Sequence, residues 1–418
     1  MLPTIHDCVK TCVLYSAYML ILSIETSCDE TAVSLIKADG DFPHAHYEIL
    51  GDALWSQIDV HREFGGVMPS AGKREHIATI LPLLEQVIQE SGIESYDYSP
   101  ALTPEEEAVI KKLLVREDGL AKQILTFYKE HGRYAIDMIA VTTGPGLEPA
   151  LWVGVNFTKA LSKLWDAPVI PVNHMEGHIL ASIYDVERDN QLADIPFPAL
   201  ALLISGGHTE LILMKDWGQY EKIGQTVDDA VGEAFDKVAR LLGLQYPGGP
   251  EISKQAAIAR KKKLPEFAKL PVPMVGSGDL NFSFSGLKTA VRYAIAGKEL
   301  SEDEVAAVAR DFEDVVATIL TKKTVTAIEQ HDIKTVVVGG GVSANQHIKR
   351  VMEATLLVEH PDVTAYFPTP GLSTDNSIMI ALAGHAHKAS ALSPAGAMLL
   401  SAEGNKKHRQ IPLGDQII

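Results

Sequence analysis

The apolar residues of this chain follow two rhythms. Short apolar runs at 20–24, 32–36, 137–143, 169–172, 199–204, 210–214, 335–338 and 365–367 have the length of buried strands. Elsewhere the spacing is helical: Ile77, Ile80, Leu81, Leu84 and Val87 predict a helix over 73–91, with Gly92 placed to end it. Thr103-Pro104-Glu105-Glu106 reads as a capping box with Pro at the first helical position. It predicts a helix through Leu114, with a second over 120–128. Further helices are expected near Ala150, from His174, over 228–242, after Asn345 and after Asn376. Strands alternating with helices argue for wound α/β layers. Residues 94–134 break that rhythm and read as a helical insertion on the surface.

One device occurs twice. Residues 20–36 and 199–214 each read strand, polar turn, strand. Either these are two unrelated hairpins or the chain is internally duplicated, with two similar lobes facing each other over a nucleotide cleft. The expected division is 19–195 for an N-terminal lobe and 196–418 for a C-terminal lobe, whose last helix is a candidate to return to the N-terminal lobe. Residues 1–18 read as an upstream extension or a start-site artefact, with Met19 as the native start. At 418 residues, 46% hydrophobic and 22% charged, the chain can build two sizeable cores.

Composition narrows the function. No apolar run approaches the ~20 residues of a membrane span. Cys8, Cys12 and Cys28 offer no disulfide framework and suit a reducing, cytoplasmic compartment. A net charge of −17 excludes a general nucleic-acid binder, so any RNA contact needs a local basic patch or a basic partner. The basic runs 260–263, 322–323 and 406–409 read as solvated faces.

The candidate chemistry starts at His174-Met175-Glu176-Gly177-His178. Residues four apart share one helix face, and two neutral imidazoles there can chelate a divalent metal. A surface histidine pair has the same spacing. The metalloprotease signature His-Glu-x-x-His does not fit, because Glu176 points about 200° round the helix. Two ligands are too few, so another must come from far along the chain. Asp375, at the mouth of a helix, is the kind of oxygen ligand required, although an acid there is usually a cap. Asp29 and Glu30, in the first polar turn, are placed to orient a cation or water. Asp236 suits ribose hydroxyls, and Gly249 lets backbone pass close to a ligand. Gly339-Gly340-Gly341 after a strand suggests close packing on a base or sugar, but its spacing is not a dinucleotide fingerprint.

Together, the runs 24–31, 174–178, 204–208, 228–237, 246–250, 339–345 and 373–376 resemble the TsaD family, the tRNA N6-adenosine threonylcarbamoyltransferases. Each motif alone is weak to moderate; seven in the family's order are very specific. The likeness runs from about Met19 to the C-terminus, outside 94–134. It implies an actin-like ATPase/sugar-kinase fold of two duplicated ribonuclease-H-like lobes around a central cleft. It implies transfer of threonylcarbamoyl from threonylcarbamoyl-AMP to N6 of the adenosine 3′ of the anticodon, in tRNAs reading ANN codons. His174, His178 and Asp375 would hold one divalent metal, iron(II) by resemblance, with zinc or magnesium as alternatives. Leu203, Ile204, Ser205, Gly206, Gly207, Asp236, Gly249 and Asn345 would bind substrate. Asp29 or Glu30 would accept the proton. Ser205-Gly206-Gly207-His208 is the bacterial and mitochondrial form, implying TsaB-like and TsaE-like partners besides tRNA. Three positions depart from the family's habit: Ser70, Pro149 and Ser253. A small-molecule kinase or ATPase of the same fold is the alternative; it would hold magnesium mainly through carboxylates and water.

Overall fold

A computed structural model describes residues 18–96, 100–186 and 189–403. Cys8, Cys12, the basic run 406–409 and the reading of residues 1–17 lie outside the described residues.

Two sheets form the frame. The first contains β1 (Tyr18–Glu25), β2 (Glu30–Asp39), β3 (His46–Ser56), β4 (Met138–Gly144) and β5 (Val169–Asn173), in the order β5-β4-β1-β2-β3. The short strands β6 (Tyr184–Asp185) and β7 (Gln191–Leu192) extend it beyond β3. The second contains β8 (Ala199–Ile204), β9 (Thr209–Asp216), β10 (Gln219–Gln225), β11 (Thr335–Gly339) and β12 (Thr364–Tyr366), in the order β10-β9-β8-β11-β12. The two match strand for strand. In each, the first strand pairs antiparallel with the second and parallel with the fourth. The two predicted hairpins are therefore the same part of two duplicated lobes, and the actin-like architecture is present.

Period-two alternation sorts the strand side chains into layers. Leu22, Ile24, Val33 and Leu35 face an outer core with helices Pro69–Ser91 and Glu148–Trp165. Leu200, Leu202 and Ile204 face the opposite outer core, with helices Val231–Leu241 and Glu302–His331. Ile21, Ile36, Ala199, Ala201 and Leu203 point into a middle core. That core encloses helices His174–Ile183 and Ser377–Ala386 between the sheets. With both faces covered, β4 and β8 are buried at every position, which is why they read as unbroken apolar runs.

Several expectations need correction. The helix over 73–91 begins at Pro69, which occupies its first turn. The helix over 228–242 spans Val231–Leu241, because Asp228 instead binds Ser283, Ser285 and the Phe284 amide. The insertion is closed at its base by Ser95 pairing with Tyr134, and its helices are Pro104–Leu113 and Leu120–His131. It is more than a surface feature: Ile110, Leu120 and Ile124 are fully buried in the first outer core. Lys323 is not on a solvated face; it is 2% exposed and donates to the Asp279 carbonyl and Ser277 Oγ. No helix among the described residues is long and apolar enough to cross a membrane.

Candidate metal centre and nucleotide cleft

Both helices of the middle core start at the same place. Asn173 Oδ1 accepts from the Met175 amide at 2.9 Å and caps the first helix, leaving His174 as its first residue. Asn376 Oδ1 accepts from the Met379 amide at 2.9 Å and caps the second. Its Nδ2 donates to the Thr374 carbonyl at 2.8 Å, which fixes the turn bearing Asp375. The helices cross in contact: a Cβ on Gly177 would lie 3.0 Å from Met379 Cγ.

The result is a compact donor set. Asp375 Oδ1 lies 3.3 Å from His174 Nε2 and 3.1 Å from His178 Nε2. One ligand atom from each of the three residues lies within 4.8 Å of the others. Around a tetrahedral ion with bonds of about 2.0–2.2 Å, ligand atoms stand about 3.3 Å apart. The observed spacings fit that, and three protein ligands leave a position open. The charges suit a cation as well. Burial opposes a charge on Asp375, but the two imidazoles hold its carboxyl far below the usual range. Burial also opposes a proton on His174, yet Asp375 and Glu25 outweigh it and raise its pKa. For His178 burial wins and the pKa is lowered.

Asp29 and Glu30 belong to the same locality. One oxygen of each, with one of Asp375, falls within 4.8 Å of the others. Burial, then Asp29 and Asp375, push Glu30 well above the usual carboxyl range. Glu30 is thus biased towards its protonated form, while Asp29 beside it is half-buried.

The residues expected at the substrate divide into two groups. Gly206, Gly207 and Gly249 face open space, since a Cβ on any of them meets nothing within 4 Å. Ser205 Oγ accepts from the His208 amide at 3.1 Å, shaping that turn. Asp236 Oδ1 accepts from the Gly248 amide at 2.7 Å, and burial raises its pKa. Asp29 also acts electrostatically on Asp236 and Tyr246, so the first-lobe turn looks onto this group. Arg62 Nε donates to the Tyr246 carbonyl at 3.1 Å, and Arg240 to the Gly65 carbonyl. These contacts border a cavity of about 340 Å³ between the lobes. The second group is less accessible. Leu203 and Ile204 are fully buried within β8 and present no exposed atom to a ligand. The Asn345 side chain caps helix Gln346–Glu359, and its Nδ2 donates to Ser253 Oγ and Glu313 Oε1, both at 2.8 Å.

The TsaD family model, described as tRNA N6-adenosine threonylcarbamoyltransferase, matches residues 48–99 and 121–382. The chain belongs to this family. A tRNA N6-adenosine threonylcarbamoyltransferase of Paraburkholderia xenovorans is 40% identical over 369 residues, covering 88% of this chain and 91% of its relative. That of Burkholderia mallei is 42% identical over 373 residues, with the same coverage. A crystal structure of full-length HypF aligns at a TM-score of 0.48 and 14% identity, over 89% of this chain and 46% of that one. His174, His178 and Asp375 fall inside the family match; Asp29 and Glu30 lie before it, and it skips 100–120.

Sequence reading missed two acids. Glu25 ends β1 fully buried, with an oxygen 3.1 Å from His174 Nδ1. Its signal was a charge closing an apolar strand. Glu176 faces away from the donor set, as its spacing required, but it is not solvated. It accepts from Tyr220 Oη at 2.9 Å and pairs with His387 Nε2 at 2.8 Å.

Proposed function

We propose that this chain transfers threonylcarbamoyl from threonylcarbamoyl-AMP to N6 of the adenosine 3′ of the anticodon in tRNAs reading ANN codons, releasing AMP. The observation that carries the proposal is the convergence of His174, His178 and Asp375 at two helix mouths, within the stretch matched to the family. The metal would be held through His174 Nε2, His178 Nε2 and one Asp375 oxygen. It would supply Lewis acidity at the donor's carbonyl. Two imidazoles and a carboxylate suit iron(II) or zinc better than magnesium, which takes mainly oxygen ligands.

The chain's own residues supply position and proton handling. The open backbone at Ser205, Gly206, Gly207 and Gly249 would receive the adenylate, with Asp236 towards its ribose and Leu203 and Ile204 supporting the turn from within β8. Asn345 would act mainly by holding its helix mouth. Asp29, the less buried acid, would accept the proton from the attacking amine while Glu30 orients it. The donor is a mixed anhydride with a good leaving group, so positioning the amine is the main requirement and no covalent enzyme intermediate is needed.

The proposed lobe division between residues 195 and 196 is supported by the strand ranges, the first sheet's last strand ending at Leu192 and the second sheet's first beginning at Ala199. Of the described basic runs, Arg260 and Lys262 are engaged by acids, and Lys323 is buried. TsaB-like and TsaE-like proteins in the cytoplasm would add surface for the anticodon arm. No observation favours the kinase reading. The test is reconstitution with a donor-forming enzyme, candidate partners and unmodified tRNA, read by nucleoside mass spectrometry. Threonylcarbamoyl-adenosine is expected; its absence under every partner combination would overturn the reading.

A further inference from the structure

Glu25 is a fully buried carboxylate that, among the described residues, has no basic salt-bridge partner apart from His174. Its surroundings are specific. Oε1 accepts from the Ser27 amide. Oε2 accepts from Thr142 Oγ1 at 2.5 Å and faces His174 Nδ1 at 3.1 Å. These partners come from the first polar turn, from β4 and from the start of helix His174–Ile183. The carboxylate therefore joins three elements of the first lobe directly behind the donor set.

We propose that Glu25 is the positioning residue of the metal centre. It holds His174 with the proton on Nδ1, so that Nε2 presents its lone pair beside Asp375. This rests on the metal reading above and deepens it. The argument is one of donors and acceptors. An imidazole that binds through Nε2 must keep its proton on Nδ1, and that proton needs an acceptor once buried. Ser27 Oγ also lies near Nδ1, at 3.2 Å, but a hydroxyl can donate as readily as accept and so selects neither tautomer. A carboxylate can only accept. Glu25 thus supplies a direction that Ser27 cannot.

The same geometry makes Glu25→Gln informative. Three donors converge on two oxygens. An amide offers one oxygen and one NH₂, so no orientation satisfies all three. With its oxygen towards Thr142 and His174, the NH₂ opposes the Ser27 amide. With the amide flipped, the NH₂ opposes His174 Nδ1 and favours the tautomer protonated on Nε2, which cannot bind metal through Nε2. The substitution keeps size and shape.

The experiment is titration of the metal-free full-length protein with zinc and cobalt(II), reading affinity, stoichiometry and the cobalt absorption bands. Thermal unfolding of each metal-free variant is the control for folding. Wild type is expected to bind one ion, and Glu25→Gln to bind it about 10- to 100-fold more weakly with altered cobalt bands. Thr142→Val, which removes one donor from Oε2 and leaves the acceptor free for His174, is expected to retain wild-type bands. Wild-type affinity and bands in Glu25→Gln would overturn this inference alone. Absence of binding by wild type would overturn the metal reading and this inference with it. If Glu25→Gln does not fold, Thr142→Val and Ser27→Ala decide: loss of the cobalt bands in Ser27→Ala but not in Thr142→Val would assign the role to Ser27 and overturn it, whereas retention in both supports Glu25.

Discussion

Gly177 sits between the two histidines of the proposed donor set, where their helix crosses the one that follows Asp375. An alanine Cβ there would lie 3.0 Å from Met379 Cγ, 3.2 Å from Ile380 Cδ1 and 3.4 Å from the Met379 carbonyl oxygen. Carbon atoms pack best at about 3.5–4.0 Å, so the helices must part, or Met379 must swing, by roughly 0.5–1 Å. Overpacking of this kind costs about 1–3 kcal/mol, while replacing helical Gly by Ala returns about 1 kcal/mol. Net stability should fall by only about 0–2 kcal/mol. The donor set is far less tolerant, because metal–ligand distances hold to within about 0.2 Å. Gly177→Ala should therefore stay folded and bind its ion at least about tenfold more weakly, a loss of about 1.4 kcal/mol. Urea unfolding and metal titration of the same preparation separate the two effects. Adding Met379→Ala removes the nearest contact and should restore part of the affinity. Wild-type affinity in Gly177→Ala, or no recovery in the double variant, would refute the steric account.

Other consequences are more direct. Asp375→Asn should abolish stoichiometric metal binding while leaving the fold intact, because its partners are the two imidazoles; retained binding would show that the ion sits elsewhere. Asp29→Ala should lose turnover in the reconstituted reaction with metal content unchanged, whereas wild-type turnover would remove it as proton acceptor. His76 is fully buried, and burial pushes its pKa from 6.5 to about 4, against the Cys28 carbonyl. The unfolded chain takes up that proton first, so the stabilisation is complete above about pH 6.5 and is lost as pH falls towards 4, amounting to about 3 kcal/mol. Urea midpoints across that window should fall more steeply for wild type than for His76→Gln; equal slopes would sink the assignment.

How much of this was legible beforehand depends on the range of the interactions involved. Strands buried on both faces, such as β4 and β8, announced themselves as apolar runs. The two hairpins showed the duplication because each lobe repeats the same local pattern. The spacing of the paired histidines was visible because helix periodicity is a local rule, whereas Asp375 entered as a third ligand through the family resemblance. The third strand of each lobe was missed. β3 has Asp52 within it and exposed residues along its length, and β10 alternates weakly. Helix Glu302–His331 was also missed, although Ser301 and Glu304 form a capping box that could have revealed it. Glu25 and Glu176 could not be assigned, because their partners lie as far away as His174 and His387.

The placement of Asp375 bears on how the lobes can work together. By chain order it belongs with the second sheet, yet the helix it precedes packs on β1, β2, β4 and β5 of the first. His174 and His178 follow β5 of that same sheet, and Glu25 ends β1. Helix His174–Ile183, which carries both histidines, packs on β11 and β8 of the second sheet as well as on β5 and β4 of the first. A Cβ on Gly339, at the end of β11, would lie 2.9 Å from the His178 carbonyl oxygen. The proposed donor set therefore sits at the seam between the lobes, while Ser205, Gly206, Gly207, Asp236 and Gly249 belong to the second. Any opening of the cleft must either break the packing of this helix on β11 and β8 or turn about it as a hinge.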